Sequence, residues 1–60
     1  MTIINNLPDY YTGYNYLVAR MVDGDWWFWG CYSTLSYARE AAYEIDGDVF
    51  TPDEVEEGDL

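Results

Sequence analysis

YNYLVARMVDGDWWFWGCY, residues 14–32, decides the fold. Residues 14–22 are rich in β-branched and aromatic side chains and read as a strand. Asp23-Gly24 supplies the two positive-φ positions of a two-residue type I′ turn, and residues 26–32 read as the return strand. Pairing Val22 with Asp25 across the turn sorts the side chains by simple alternation. Leu17, Ala19, Met21, Trp26, Phe28 and Gly30 fall on one face, and Tyr16, Val18, Arg20, Trp27, Trp29 and Cys31 on the other.

Working outward, Ser33 suits an N-cap, with Tyr32 and Tyr37 spaced to staple the first turn. Leu35, Ala38, Ala42 and Ile45 recur at helical spacing, and Gly47 suits a left-handed helix end. Residues 48–51 form a short third strand that Pro52 stops. The expected fold class is therefore α+β, a small β-β-α-β domain with one helix packed on one face of an antiparallel hairpin plus a third strand.

Sixty residues make one domain with a single core, and a chain this short buries only about 60% of its unfolded surface. Within residues 1–60 the expected layout is an irregular lead over 1–13, a hairpin-helix-strand core over 14–51 and an acidic tail over 52–60. That tail is read as a frayed or solvated end, or as an irregular acidic edge. The helix is expected over the Leu17, Met21 and Phe28 face, because Ala38, Ala41, Ala42 and Gly30 permit close approach and a helix over Arg20 would strand a charge. Tyr16, Val18, Trp27 and Trp29 are then left on the outer face, with Arg20 lying across Trp27. Either the lead, through Ile3, Ile4, Leu7, Tyr10 and Tyr11, folds over this face, or it contacts a partner or a second copy.

Charge narrows the function classes. Arg20 and Arg39 stand against twelve carboxylates, for a net charge of -10 with no lysine and no histidine. Nucleic acid itself would be repelled, so a basic partner surface is favoured. Without an imidazole there is no triad of the usual kind, and the lone Cys31 has no base to activate it, so no enzyme is expected. The Asp-Gly-Asp pairs at Asp23/Asp25 and Asp46/Asp48 do not fit the twelve-residue calcium loop, so no metal site and no cofactor are expected. A single cysteine, no signal-peptide pattern and no apolar run of membrane-spanning length lead to an expectation of a cytoplasmic protein.

The carboxylates form a pattern of their own. Glu40 and Glu44 share a helical row opposite Leu35, Ala42 and Ile45, and like charges four apart cost a few tenths of a kcal/mol. Glu44 and Asp46 also oppose the helix dipole. Acids that break local rules without local compensation point to a function, solubility of an aromatic-rich chain being the competing explanation. Glu40, Glu44, Asp46 and Asp48, continued by Asp53, Glu54, Glu56 and Glu57, could imitate a row of phosphates and compete for the Lys and Arg side chains that hold them.

In its size, acidity, lack of lysine and histidine, and hairpin-plus-helix layout, the chain resembles small anti-CRISPR proteins of the DNA-mimic kind, which phages direct against host nucleic-acid enzymes. The resemblance implies a non-catalytic inhibitor in the host cytoplasm. Its implied partner is a basic nucleic-acid-binding host protein, such as the DNA-recognition subunit of a type I CRISPR complex. The resemblance assigns no residues: the eight acids as the steering row rest on the charge argument alone, and Tyr16, Trp27 and Trp29 as anchors on their place in the outer aromatic patch. Direct binding to nucleic acid or membrane is not expected. The alternative is an aromatic-driven interaction module: a homodimer, an adaptor, or an inhibitor of the kind that acts on uracil-DNA glycosylase.

Overall fold

The computed structural model describes residues 1–59. It is a small α+β domain with one helix packed against a five-stranded mixed sheet. In chain order the elements are β1 (Thr2–Asn5), a 3-10 turn (Asp9–Gly13), β2 (Tyr16–Val22), β3 (Asp25–Tyr32), α1 (Leu35–Ile45), β4 (Asp48–Phe50), a second 3-10 turn (Pro52–Glu54) and β5 (Val55–Glu57).

The hairpin forms as its turn chemistry requires. Val22 pairs with Asp25, and Asp23 and Gly24 take φ of 51° and 87°, both positive as a type I′ turn demands. The register then slips: Ala19 pairs with Phe28 but Val18 with Gly30, so Trp29 is the extra residue of a β-bulge. Beyond the bulge the alternation of β3 is reversed. Cys31 joins the cluster around Leu17, and Gly30 pairs with Val18 on the other face, opposite to what strict alternation assigns. The side-chain-free face of Gly30 is covered by the ring of Tyr32, whose Oη would lie 3.0 Å from a Cβ placed there.

The helix has the expected period but different ends. Thr34, not Ser33, is the N-cap, and its carbonyl accepts the Ala38 N–H at 3.2 Å. Ser33 is held in the preceding loop, where its carbonyl accepts a 3.0 Å bond from the Asn15 side-chain amide. With the cap moved by one, the residue before it is Ser33, and the Tyr32–Tyr37 staple is out of register. At the C-terminus the left-handed residue is Asp46 (φ 56°), one position before the expected Gly47. Gly47 donates to the Ala42 carbonyl at 2.8 Å and Asp46 to that of Tyr43 at 3.4 Å, the paired bonds of a Schellman ending. Gly47 is needed for room: a Cβ there would lie 2.5 Å from the Ala19 carbonyl oxygen.

The presumed lead and tail are both sheet. The strand order is β4-β2-β3-β1-β5, with β1 lying parallel to both β3 and β5. Asn6, at φ 66°, ends β1, and the chain then crosses one face of the sheet through the first 3-10 turn before entering β2. At the other end Val55 is buried, and the Gly58 N–H donates to the Ile4 carbonyl at 2.9 Å, extending the β5–β1 ladder. Leu60 of the expected tail lies outside the described residues.

This connectivity requires a curled sheet. β4 and β5 are the two edges, four strand spacings apart, which in a flat sheet would be about 19 Å. Only Thr51–Glu54 connects them, and five Cα steps reach at most about 18 Å when fully extended, less through a 3-10 turn. The edges must therefore bend toward each other. Accordingly, all five strands contribute to one cluster on the concave side: Ile4, Leu17, Ala19 and Val55, joined by Trp26, Phe28, Cys31 and Phe50, with Leu7 and Tyr11 as a plug. The rings of Trp26 and Phe50 meet edge to face at 5.1 Å.

The helix accordingly lies on the opposite, convex face, and the expected placement over Leu17, Met21 and Phe28 is corrected. Ala38 and Ala42 pack on Val18, with Tyr16, Tyr32, Ala41, Ile45 and Val49 around them. A helix is about 10 Å across and the concave side is already filled by the chain's own strands and 3-10 turn. Nor is Arg20 stranded: α1 covers the Tyr16–Val18 end of β2, and Arg20 projects into solvent beyond it.

Candidate partner-binding surfaces

All twelve carboxylates are exposed, yet the eight proposed as a row are divided by the fold. Glu40 and Glu44 lie on α1, Asp46 ends it and Asp48 opens β4, one edge of the sheet. Glu56 and Glu57 lie on β5, the other edge. Asp53 and Glu54, between them, have local work. Glu54 Oε1 accepts the Thr51 N–H at 2.8 Å while the Thr51 side chain accepts the Glu54 N–H, a capping box that fixes the turn joining the two edges, and Asp53 Oδ1 accepts the Thr51 hydroxyl at 2.6 Å beside it. Glu40, Glu44 and Asp48 have no comparable cap to make, and Asp46 ends α1 through its left-handed backbone, which leaves its exposed carboxylate uncommitted to the cap. The last turn of α1 carries no basic residue that would offset Glu44.

Two open surfaces on the convex side combine aromatic and charged groups. The first is a groove of about 470 Å³ where the loop before β2, the end of β3 and the flank of α1 meet. Tyr14, Cys31, Tyr32, Ser33 and Thr34 form one wall, and Tyr37, Glu40, Ala41 and Glu44 the other. Those last four positions follow the i, i+3, i+4, i+7 stripe of a helix, so one flank of α1 faces the groove. Tyr37 is 67% exposed and Tyr14 39%, and Tyr10 braces Tyr14 edge-on with ring centroids 6.1 Å apart. Sequence reasoning identified Glu40 and Glu44 but missed Tyr14, Tyr32 and Tyr37 beside them. The helical stripe was the available signal for Tyr37, while Tyr14 and Tyr32 reach α1 only through the fold.

The second surface lies toward the hairpin turn, where Arg20, Val22, Trp27, Phe28 and Trp29 line an open groove of about 370 Å³. Arg20 stacks over Trp29, not Trp27, with its guanidinium carbon 5.7 Å from the ring centroid. The bulge explains the exchange, because the extra residue pushes Trp29 forward beside Arg20 while Trp27 stays directly across the ladder. Trp29 is half exposed and Trp27 partly buried. Tyr16 does not join them, since it is packed beside the helix at the other end of β2. The N-terminal segment does fold back on the sheet, but over the concave face, so Trp27 and Trp29 stay open.

Cys31 is half buried beside the Leu17 cluster, and this desolvation pushes its thiol pKa above the ordinary value. Among the described residues no three Asp, Glu or Cys side chains converge where a metal ion could be held. No helix of the described residues is long and apolar enough to cross a membrane. Comparison with protein families, curated proteins and solved structures finds no match to this chain.

Proposed function

We propose that the chain is a non-catalytic inhibitor that occupies a basic nucleic-acid-binding site on a host protein. In its most specific form it is an anti-CRISPR protein of the DNA-mimic kind, acting in the bacterial cytoplasm on the DNA-recognition subunit of a type I complex. The supporting observation is the run Glu40, Glu44, Asp46, Asp48: its side chains are all exposed, Glu40 and Glu44 repel each other one helical turn apart, and Glu44 and Asp46 stand at the helix end where the dipole opposes negative charge. Such a run lowers local stability while presenting negative charge on a rigid element. A partner with clustered Lys or Arg would recover that cost on binding.

The test is a titration of a purified type I complex with the chain, following target-DNA binding. The chain should displace DNA, and displacement should weaken steeply as salt is raised, because exposed charges are screened beyond about 8 Å at physiological ionic strength. Reversal of Glu40 and Glu44 to Lys should remove the effect at an unchanged melting temperature. Full inhibition by that variant would exclude a role for the helix acids.

The half-exposed Trp29 under Arg20 favours a second reading, an aromatic-driven module that forms a homodimer or docks in a partner groove, as a uracil-DNA glycosylase inhibitor would. On that reading Trp29→Ala costs more binding than any charge change, salt matters little, and light scattering detects a dimer if the partner is a second copy.

A further inference from the structure

We infer that the groove between α1 and the β3 end of the sheet is a docking site for an arginine side chain carried by a protein partner. Three tyrosines, Tyr14, Tyr32 and Tyr37, line the groove on both walls, and the small Ala41 on the α1 wall leaves room between them. Tyrosine faces attract a cation through the ring quadrupole, and a guanidinium can also stack on them flat. Glu40 and Glu44 border the same space. Four residues apart on a helix, they stand about 5–6 Å apart at Cβ, so a guanidinium entering between them can donate to both carboxylates.

Charge selects the occupant. Neither Arg20 nor Arg39 lines the groove, so no cation of the chain itself answers the two glutamates there. An apolar partner would leave both carboxylates desolvated and unpaired, and an anionic one would be repelled. A lysine would satisfy the charge but brings a strongly hydrated point cation that makes less of the aromatic walls. The groove is also preformed: Tyr10 holds Tyr14 edge-on, and Ala38 and Ala42 fix α1 on Val18. This inference rests on the inhibitor reading for its biological setting, and it names the side chain that one part of the anionic surface would capture.

The probes are a nonapeptide of arginine and one of lysine, titrated into the isotope-labelled chain at about 150 mM salt, where long-range attraction between exposed charges is largely screened. Amide shifts with the arginine peptide should concentrate at Tyr32, Tyr37, Glu40, Ala41 and Glu44, and the lysine peptide should bind more weakly. The double variant Glu40→Gln/Glu44→Gln should weaken arginine-peptide binding about tenfold or more, as loss of charge-assisted hydrogen bonds implies. Tyr37→Ala should weaken it as well. Glu56→Gln/Glu57→Gln removes the same charge from the opposite sheet edge and should change affinity less than about twofold. Equal losses from the two double variants, or equal binding of both peptides with shifts spread over every acidic segment, would overturn the groove and leave a diffuse anionic inhibitor standing. Groove-confined arginine binding by a chain that fails to displace DNA from the type I complex would support the groove and remove the inhibitor reading.

Discussion

The two faces of the sheet are built by different rules. The concave face is filled by Ile4, Leu7, Leu17, Val55, Trp26, Phe28 and Phe50, which come from both ends of the chain as well as its middle. The convex face is covered locally, by a helix that follows the hairpin directly and packs through Ala38 and Ala42 on Val18. Large side chains from distant segments close one side, and small side chains from a neighbouring segment close the other. The first arrangement carries the fold and the second leaves surface to spare. One groove lies in that spare surface along the helix flank, and the other lies beyond the helix toward the hairpin turn.

That contrast can be broken most directly at the C-terminus. Removing residues 55–60 takes away β5 and the buried Val55 and bares the β1 edge. A domain of this size holds only about 3–9 kcal/mol in total, so the truncated chain should show no cooperative thermal transition by circular dichroism. A transition retained near the full-length temperature would mean that the closure is dispensable.

A matched pair of truncations sharpens the contrast. Val55 and Val18 are both fully buried, one on each face. Val55→Ala should cost about 2–3 kcal/mol and Val18→Ala about 1–2 kcal/mol in chemical denaturation, because the helix can settle toward a smaller residue whereas a hydrogen-bonded, curled sheet cannot. Equal costs would make the two faces equivalent. Gly47→Ala should cost about 1–3 kcal/mol by the same measurement, since the atom in the way is the Ala19 backbone carbonyl, which cannot swing aside.

The smallest effect expected is at Cys31. Its pKa is raised by burial in the folded chain, so its contribution to stability is present below the unfolded thiol's pKa and lost as pH rises through the folded value. In the folded chain at mildly alkaline pH, Cys31 should therefore react with iodoacetamide more slowly than in urea-unfolded chain at the same pH. A faster reaction in the folded state would indicate that the thiol is activated by its surroundings.

The hairpin and helix were legible because each is specified by adjacent residues. Asp23-Gly24 admits the positive φ values of the turn, and Ala38, Ala42 and Ile45 mark a helical period wherever the helix packs. The first and last strands were not legible. β5 is three residues with two glutamates, and β1 makes only parallel pairs, whose partners lie far along the chain. Of the candidate site, Glu40 and Glu44 could be read from the helical wheel. The tyrosines opposite them could not, because Tyr14 precedes β2 and Tyr32 ends β3, and only folding brings them to α1. The capping role of Glu54 was visible in the Thr51-Pro52-Asp53-Glu54 spacing, yet charge alone had placed it with Asp53 in the anionic row.

By itself the sequence determined the turn, the helical period and an acidic exterior, since backbone sterics, side-chain periodicity and ionisation act within a few residues. Tertiary structure decided which face the helix covers, where Trp29 bulges out and how the two ends of the chain close the sheet. Both faces of the hairpin are apolar, so alternation could not rank them. The choice fell to the volume that β1, β5 and the first 3-10 turn bring to the concave side, which leaves the helix only the other.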